Sequence, residues 1–113
     1  MNIRTIRQGF SVCPQIHPAD MAEIAAQGFR AVICNRPDGE DPGQPSAAEI
    51  AAAAKAAGLG FAHVPVCPGQ ETADDAAAMA QALATLPGPV LGFCRSGNRS
   101  VCLAQMADSH LTD

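Results

Sequence analysis

Cations are scarce in this 113-residue chain. Seven basic residues stand against eleven acidic ones, for a net charge of −4. Such a surface cannot gather the phosphates of a nucleic acid, so that class of partner is set aside. No run of about 18 apolar residues occurs, which excludes a membrane-crossing helix of ordinary length. The alanine stretch Ala51–Ala54 is interrupted by Lys55 and then Gly58. Residues Met1-Asn2-Ile3-Arg4-Thr5-Ile6-Arg7 hold no apolar core of a secretion signal. No cysteine and histidine spacing matches a zinc site, and there is no internal repeat or low-complexity tail. The five cysteines are odd in number and widely scattered. They do not form a disulfide framework and point to a reducing compartment. These absences lead to an expectation of a cytoplasmic domain without metal or cofactor, with neither nucleic acid nor membrane as partner.

What is present is a core. Hydrophobic residues make up 48% of the chain, enough for one domain over residues 1–113 and not for two. Ile3–Ile6 and Phe10–Val12 read as short strands about a Gln8-Gly9 turn. Pro18 and Asp20 suit the first turn of a helix that runs to about Gln27 and stops at Gly28. Phe29–Cys34 is an apolar run too short for a helix and reads as a buried strand. Ser46 and Glu49 have capping-box spacing and open an alanine-rich helix. Leu59–Val66 reads as the next strand. Thr72 with Asp74 and Asp75 opens a helix whose apolar face carries Ala76, Met79, Leu83 and Leu86. Val90–Phe93 is a further strand, and a helix follows from about Ser100. This alternation predicts an α/β, three-layer fold: a central, mostly parallel sheet with helices on both faces. The segment from Asp38 to Ser46 is the longest loop and is expected to be the mobile one.

The stretch Val90-Leu91-Gly92-Phe93-Cys94-Arg95-Ser96-Gly97-Asn98-Arg99-Ser100 carries the chemistry. A strand, a tight polar loop and a helix start make an anion-binding cup, because backbone N–H groups turn inward and the helix dipole adds positive potential. Cys94 sits at its mouth. Inward N–H groups and the guanidiniums of Arg95 and Arg99 favour the thiolate, the nucleophilic form of a group that otherwise titrates near pH 8.5. Cys94 is therefore the candidate nucleophile, against the plainer reading of a buried cysteine that ends a strand. Arg99 would orient the substrate. Arg95, Ser96, Asn98 and Ser100 would shape the binding mouth, and Gly97 permits the turn.

The Cys94–Ser100 loop resembles that of rhodanese-type sulfurtransferases. It is also similar to that of cysteine-dependent phosphatases, which space cysteine and arginine as C-x5-R where this chain has C-x4-R, and which usually carry histidine where it has Phe93. The wider chain resembles the beta-lactamase hydrolase-like, phosphatase-like domain family. The matching stretches are Gly28 to Glu40, Gln44-Pro45, Val64-Pro65-Val66 and the Cys94 loop. The resemblance implies a dual-specificity-phosphatase-like fold with a rhodanese-like loop. It also implies a link to sulfide handling and a persulfide dioxygenase-type partner, since some family members are fused to such a metallo-hydrolase.

Parallel strands with right-handed crossovers bring their C-terminal ends to one edge, where ligands bind. Cys34, Cys67 and Cys94 are each expected at such an end, so Cys67 or Cys34 could act as a second thiol, or simply fill a strand end. Cys102 is expected in the core. Arg36, Asp38 and Glu40 should border the cup, with Arg36 binding an anionic donor or the acids giving a proton. Other acid candidates are Glu71, Asp74 and Asp75, and no spacing compels a choice. His63 reads as a core histidine, His17 as a helix-start marker and His110 as part of a fraying tail.

Three functions remain. The first is sulfur transfer through a Cys94 persulfide from a sulfane donor, favoured by the short spacing and by the lack of a clear acid. The alternative is a cysteine-dependent phosphatase working through a Cys94 phosphoenzyme. A third is a sulfide or redox partner domain.

Overall fold

Phe10–Cys13, Ala31–Cys34 and Val90–Phe93 are four-residue strands in which every residue is buried. Burial on both faces is what continuous apolar runs require, and it demands helices above and below. In the computed structural model, which describes residues 1–112 with side chains through Asp108, these strands are β2, β3 and β5. Arg4–Arg7 (β1) and Gly60–His63 (β4) complete a sheet of order β1-β2-β5-β3-β4. β1 lies antiparallel to β2, and the other pairings are parallel. The helices are α1 (Met21–Ala26), α2 (Ala47–Ala56), α3 (Ala73–Thr85) and α4 (Asn98–Thr112).

Alternate side chains of each inner strand feed two separate cores. Phe10, Val12, Ala31, Ile33 and Val90 cluster with Met79 and Ala80 of α3 and Leu103, Ala104 and Ala107 of α4. Val32, Cys34, Leu91 and Phe93 cluster with Met21 and Ile24 of α1 and Ile50 and Ala54 of α2. Each large aliphatic or aromatic side chain so buried stabilises the fold by roughly 1.5–3 kcal/mol. The result is the three-layer α/β fold that the alternation of elements predicts.

The Ser46–Glu49 capping box forms, and Thr72 with Asp75 makes a second. Ser46 Oγ accepts from the Glu49 N–H at 3.1 Å while Glu49 Oε1 accepts from the Ser46 N–H at 3.1 Å. Thr72 and Asp75 exchange the same pair of bonds at 3.1 and 3.0 Å. Among the described residues no helix is long and apolar enough to cross a membrane.

Several details differ from expectation. The first helix divides into a 3-10 turn over Pro18–Asp20 and a short α1, with the His17 N–H bonded to Asp20 Oδ2 at 2.8 Å. β4 is an edge strand, only partly buried, and it ends at His63. His63 is accordingly exposed rather than in the core, with Nε2 2.9 Å from the Arg36 carbonyl. Beyond it the chain stays against the sheet, as the Val64 N–H donates to the Cys34 carbonyl at 2.8 Å. α4 starts two residues before Ser100. Cys102 is exposed, because it falls outside the stripe of Leu103, Ala104 and Ala107 that meets the core. The His110 side chain lies outside the described residues.

Gly92 is the tightest point of the inner sheet. A Cβ there would lie 3.0 Å from Phe10 Cζ and 3.6 Å from Ser100 Cβ. The Phe10 ring is fully enclosed and has little room to yield. We expect Gly92→Ala to lower stability by about 1–3 kcal/mol in urea denaturation, the usual cost of overpacking. A loss below about 0.5 kcal/mol, within the range of neutral surface changes, would show that the ring swings aside.

Candidate active site

β5 is the central strand and delivers Cys94 to the C-terminal edge of the sheet. Phe93 is in register with Cys13 of β2 on one side and with Cys34 of β3 on the other. The chain then turns through Arg95, Ser96 and Gly97 and enters α4 at Asn98. Gly97 has φ +97°, and a Cβ there would come within 3.4 Å of the Cys13 carbonyl oxygen. A side chain would thus be strained and crowded at the residue whose N–H donates to Cys94 Sγ at 3.0 Å.

The Cys94 thiol is fully buried, and burial alone would raise its pKa. The backbone N–H groups of Ser100, Ser96, Gly97 and Arg99 outweigh that cost, and the thiol titrates below its ordinary value. Its neighbours go the other way. Burial, then the charge of Cys94, pushes Cys13 up to about 12. Burial pushes Cys34 up to about 11, outweighing a backbone hydrogen bond from Arg36 that acts the other way. Of these three sulfurs, only the one encircled by donors is shifted toward its charged form.

Arg99 stands beside this loop and is held firmly. Nη1 and Nη2 donate side by side to Glu40 Oε2 and Oε1 at 2.8 and 2.9 Å, and Nη1 also donates to the Val66 carbonyl at 2.9 Å. Glu40 first, and the Cys94 sulfur after it, favour the charged guanidinium. Glu40 also accepts from Arg36 Nε at 2.7 Å. The Arg99 bonds, then those of Arg36, hold the Glu40 carboxyl below its ordinary range in spite of partial burial. Arg36 completes the lattice, with Nη1 on Gln15 Oε1 at 2.8 Å and Nη2 on Asp41 Oδ2 at 2.5 Å. Arg95 Nε lies 3.4 Å from the same Asp41 oxygen. Arg36, Glu40, Asp41, Pro68, Arg95 and Arg99 line a cleft of about 250 Å³. A larger cleft of about 420 Å³ at the opposite end of the sheet, lined in part by Arg7, Phe10, Leu83 and Leu86, holds no nucleophile.

Of the loop residues expected at the mouth, Arg95 and Arg99 line the cleft. Ser96 Oγ accepts from the Asn98 N–H at 3.3 Å, and Asn98 Oδ1 accepts from Arg4 Nη2 at 3.4 Å. Ser100 is buried, and its Oγ has no hydrogen-bond partner among the described residues. Other expectations need correction. Arg36 does not offer a free fork to substrate, because all three of its guanidinium nitrogens are bonded to side chains. Asp38 does not line the cleft: its Oδ1 accepts from the Ala47 N–H at 2.7 Å and caps α2. Glu71 lies on the segment before α3 and outside the cleft lining. Cys67 does not end a strand. It lies four residues past His63, exposed, next to the Val66 carbonyl that holds Arg99. Cys13 takes its place at the edge, because β2 and not β4 is the second neighbour of β5. The segment from Asp38 to Ser46, expected to move, is tied down by Glu40, Asp41 and the Gln44 side chain, whose Nε2 donates to the Pro37 carbonyl at 2.9 Å. Nothing local in the sequence signals Glu40 as the anchor of Arg99.

Comparison with known proteins agrees with this fold. Residues 2–110 match the family described as beta-lactamase hydrolase-like protein, phosphatase-like domain. The beta-lactamase hydrolase-like protein of Agrobacterium fabrum is 36% identical over 104 residues, 92% of this chain. The chain spans only 24% of that relative's length. A candidate phosphatase of known structure from Neisseria meningitidis superposes with a TM-score of 0.84 at 36% identity, covering 91% of this chain and 73% of the other. A candidate phosphatase from Shewanella putrefaciens gives 0.78 at 16% identity, with 91% and 67% covered, and shows the same fold.

The charge pattern makes a pH prediction. A thiol with a depressed pKa is ionised from that lowered value upward and protonates as the pH falls through it. The ultraviolet thiolate absorbance of the wild type minus that of Cys94→Ala should rise at a midpoint below that of an ordinary thiol. Cys13 and Cys34 should contribute only at high pH. A difference curve with an unshifted midpoint would sink this picture of the loop.

Proposed function

From the premise that the chain belongs to the beta-lactamase hydrolase-like protein, phosphatase-like domain family, we propose that it is a cysteine-dependent phosphatase acting on a small phosphate-containing substrate through a Cys94 phosphoenzyme. The observation that carries the reading is the ring of four N–H groups around a buried sulfur, with the Glu40-anchored Arg99 at its side. The same donors that hold a thiolate suit the equatorial oxygens of a phosphoryl group. Preorganised donors of this kind supply most of the transition-state stabilisation in such transfers. The Cys94 thiolate attacks phosphorus, the S–P bond forms, and the P–O bond breaks with its electron pair on the leaving oxygen. Water then attacks phosphorus, the thiolate leaves, and dihydrogen phosphate is released. Ser96, Gly97, Asn98 and Ser100 form the cradle, and Arg95 faces the incoming substrate from the rim.

Sulfur transfer is the second reading, and one feature favours it: the C-x4-R spacing leaves a loop one residue shorter than the phosphatase pattern. The Cys94 thiolate would take the outer sulfur of thiosulfate, form a persulfide and release sulfite, and a second thiol would remove the sulfur. A persulfide dioxygenase-type partner would fit that chemistry. A domain that merely stores sulfur on Cys94 for a separate enzyme is the third.

One pair of assays separates the three. Phosphate release from an aryl phosphate, abolished in Cys94→Ser, is the expected result. Thiocyanate formation from thiosulfate and cyanide without phosphate release would reverse the order. Neither activity, with a Cys94 persulfide seen by intact mass, would favour the storage domain.

The anchoring of Arg99 makes a further prediction. Glu40→Ala should lower kcat/KM about 10²-fold, the penalty of misplacing a catalytic group by about an ångström. The thiolate titration should still be observed, because the loop N–H groups remain. Unchanged kcat/KM would show that Arg99 needs no anchor.

A further inference from the structure

Both carboxylates that line the cleft are already clasped by guanidiniums. Glu40 is bound by Arg99 and Arg36, and Asp41 by Arg36 and Arg95. The other nearby proton carriers face elsewhere: Asp38 caps α2, and His63 meets the Arg36 carbonyl. A general acid must hold a proton at the working pH and present it to the leaving oxygen. A carboxylate gripped by guanidiniums is kept in its charged form instead, as the lowered pKa of Glu40 illustrates. What the cleft offers a departing group is positive charge. The Arg95 side chain is 71% exposed and meets Asp41 only loosely at 3.4 Å, so its guanidinium remains available at the rim.

Resting on the phosphatase reading above, we propose that the substrates are phosphoryl compounds whose leaving group departs as an unprotonated anion: aryl phosphates, acyl phosphates and phosphoanhydrides, and not alkyl phosphate monoesters. As the Cys94 sulfur bonds to phosphorus, the P–O pair stays on the leaving oxygen, which exits as a phenolate, carboxylate or phosphate. Arg95 meets that charge by electrostatic attraction, with no proton delivered. An alkyl phosphate would have to expel an alkoxide, a far poorer leaving group. Among the described residues, the cleft lining holds no group free to make good the difference.

The test is kcat/KM, which reports phosphoenzyme formation, across aryl phosphates of graded phenol acidity, acetyl phosphate, inorganic pyrophosphate and an alkyl phosphate. Rapid quenching and intact mass would follow the phosphorylated Cys94 in parallel. The expected result is a steep fall with leaving-group basicity, leaving the alkyl phosphate below the nitrophenyl ester by more than the roughly 10²–10⁴-fold a general acid supplies. An alkyl phosphate cleaved within about tenfold of the aryl ester would overturn the proposal and leave the phosphatase reading standing. Failure to phosphorylate Cys94 with every member would remove both. Glu71→Gln, a change outside the cleft, should leave the steepness unaltered. A steeper dependence in that variant would identify Glu71 as the acid and end the proposal.

Discussion

The guanidinium of Arg99 and the carboxylate of Glu40 meet across 59 residues of sequence, in a side-by-side pair of hydrogen bonds largely shielded from water. Two ions withdrawn from solvent need close geometry and further partners to recover the cost of desolvation. They have both: the Val66 carbonyl takes one Arg99 proton, and Arg36 takes a Glu40 oxygen. Through this pair the segment after β3 is fastened to the loop after β5. The cleft is a consequence of that fastening. So is the direction of the Arg99 side chain, which would otherwise be a long and mobile rotor at a helix start.

Selective ionisation follows from the same edge of the sheet. Cys13, Cys34 and Cys94 share the ends of three neighbouring strands, and all three are buried. Burial opposes charge at each of them. The difference is donors. Cys94 enters a turn in which four N–H groups converge on sulfur, whereas Cys13 and Cys34 end strands whose side chains face the core beneath α1 and α2. Once Cys94 is charged, its field discourages the other two. One thiol in a cluster of three shifted toward ionisation thus results from backbone direction and not from residue type.

Phosphoryl and sulfane-sulfur chemistry make the same first demand of this cup: a stable thiolate. The short loop favours the smaller sulfur group, and the sequence by itself ranks sulfur transfer first. Family membership and the Neisseria meningitidis structure support the phosphoryl reading more directly. Whichever chemistry the cup performs, Glu40 and Asp41 beside it are both paired with arginines.

Local patterns carried a good deal. The Ser46–Glu49 and Thr72–Asp75 caps, the buried strands ending at Cys34 and Phe93, and the Cys94 loop were all legible, since each depends on neighbours within one turn or one strand. Strand order was not legible. Placing β2 beside β5 depends on the packing of distant elements, and it put Cys13 where Cys67 was expected. The partners of Arg36, Asp38 and Glu40 were hidden for the same reason: a charge run reads alike whether it faces water or a guanidinium. The sequence alone therefore determined which groups can do chemistry, because residue type sets nucleophilicity and charge. Tertiary structure decided which of them act together, because hydrogen bonds and ion pairs depend on distances of a few ångströms that only the folded chain creates.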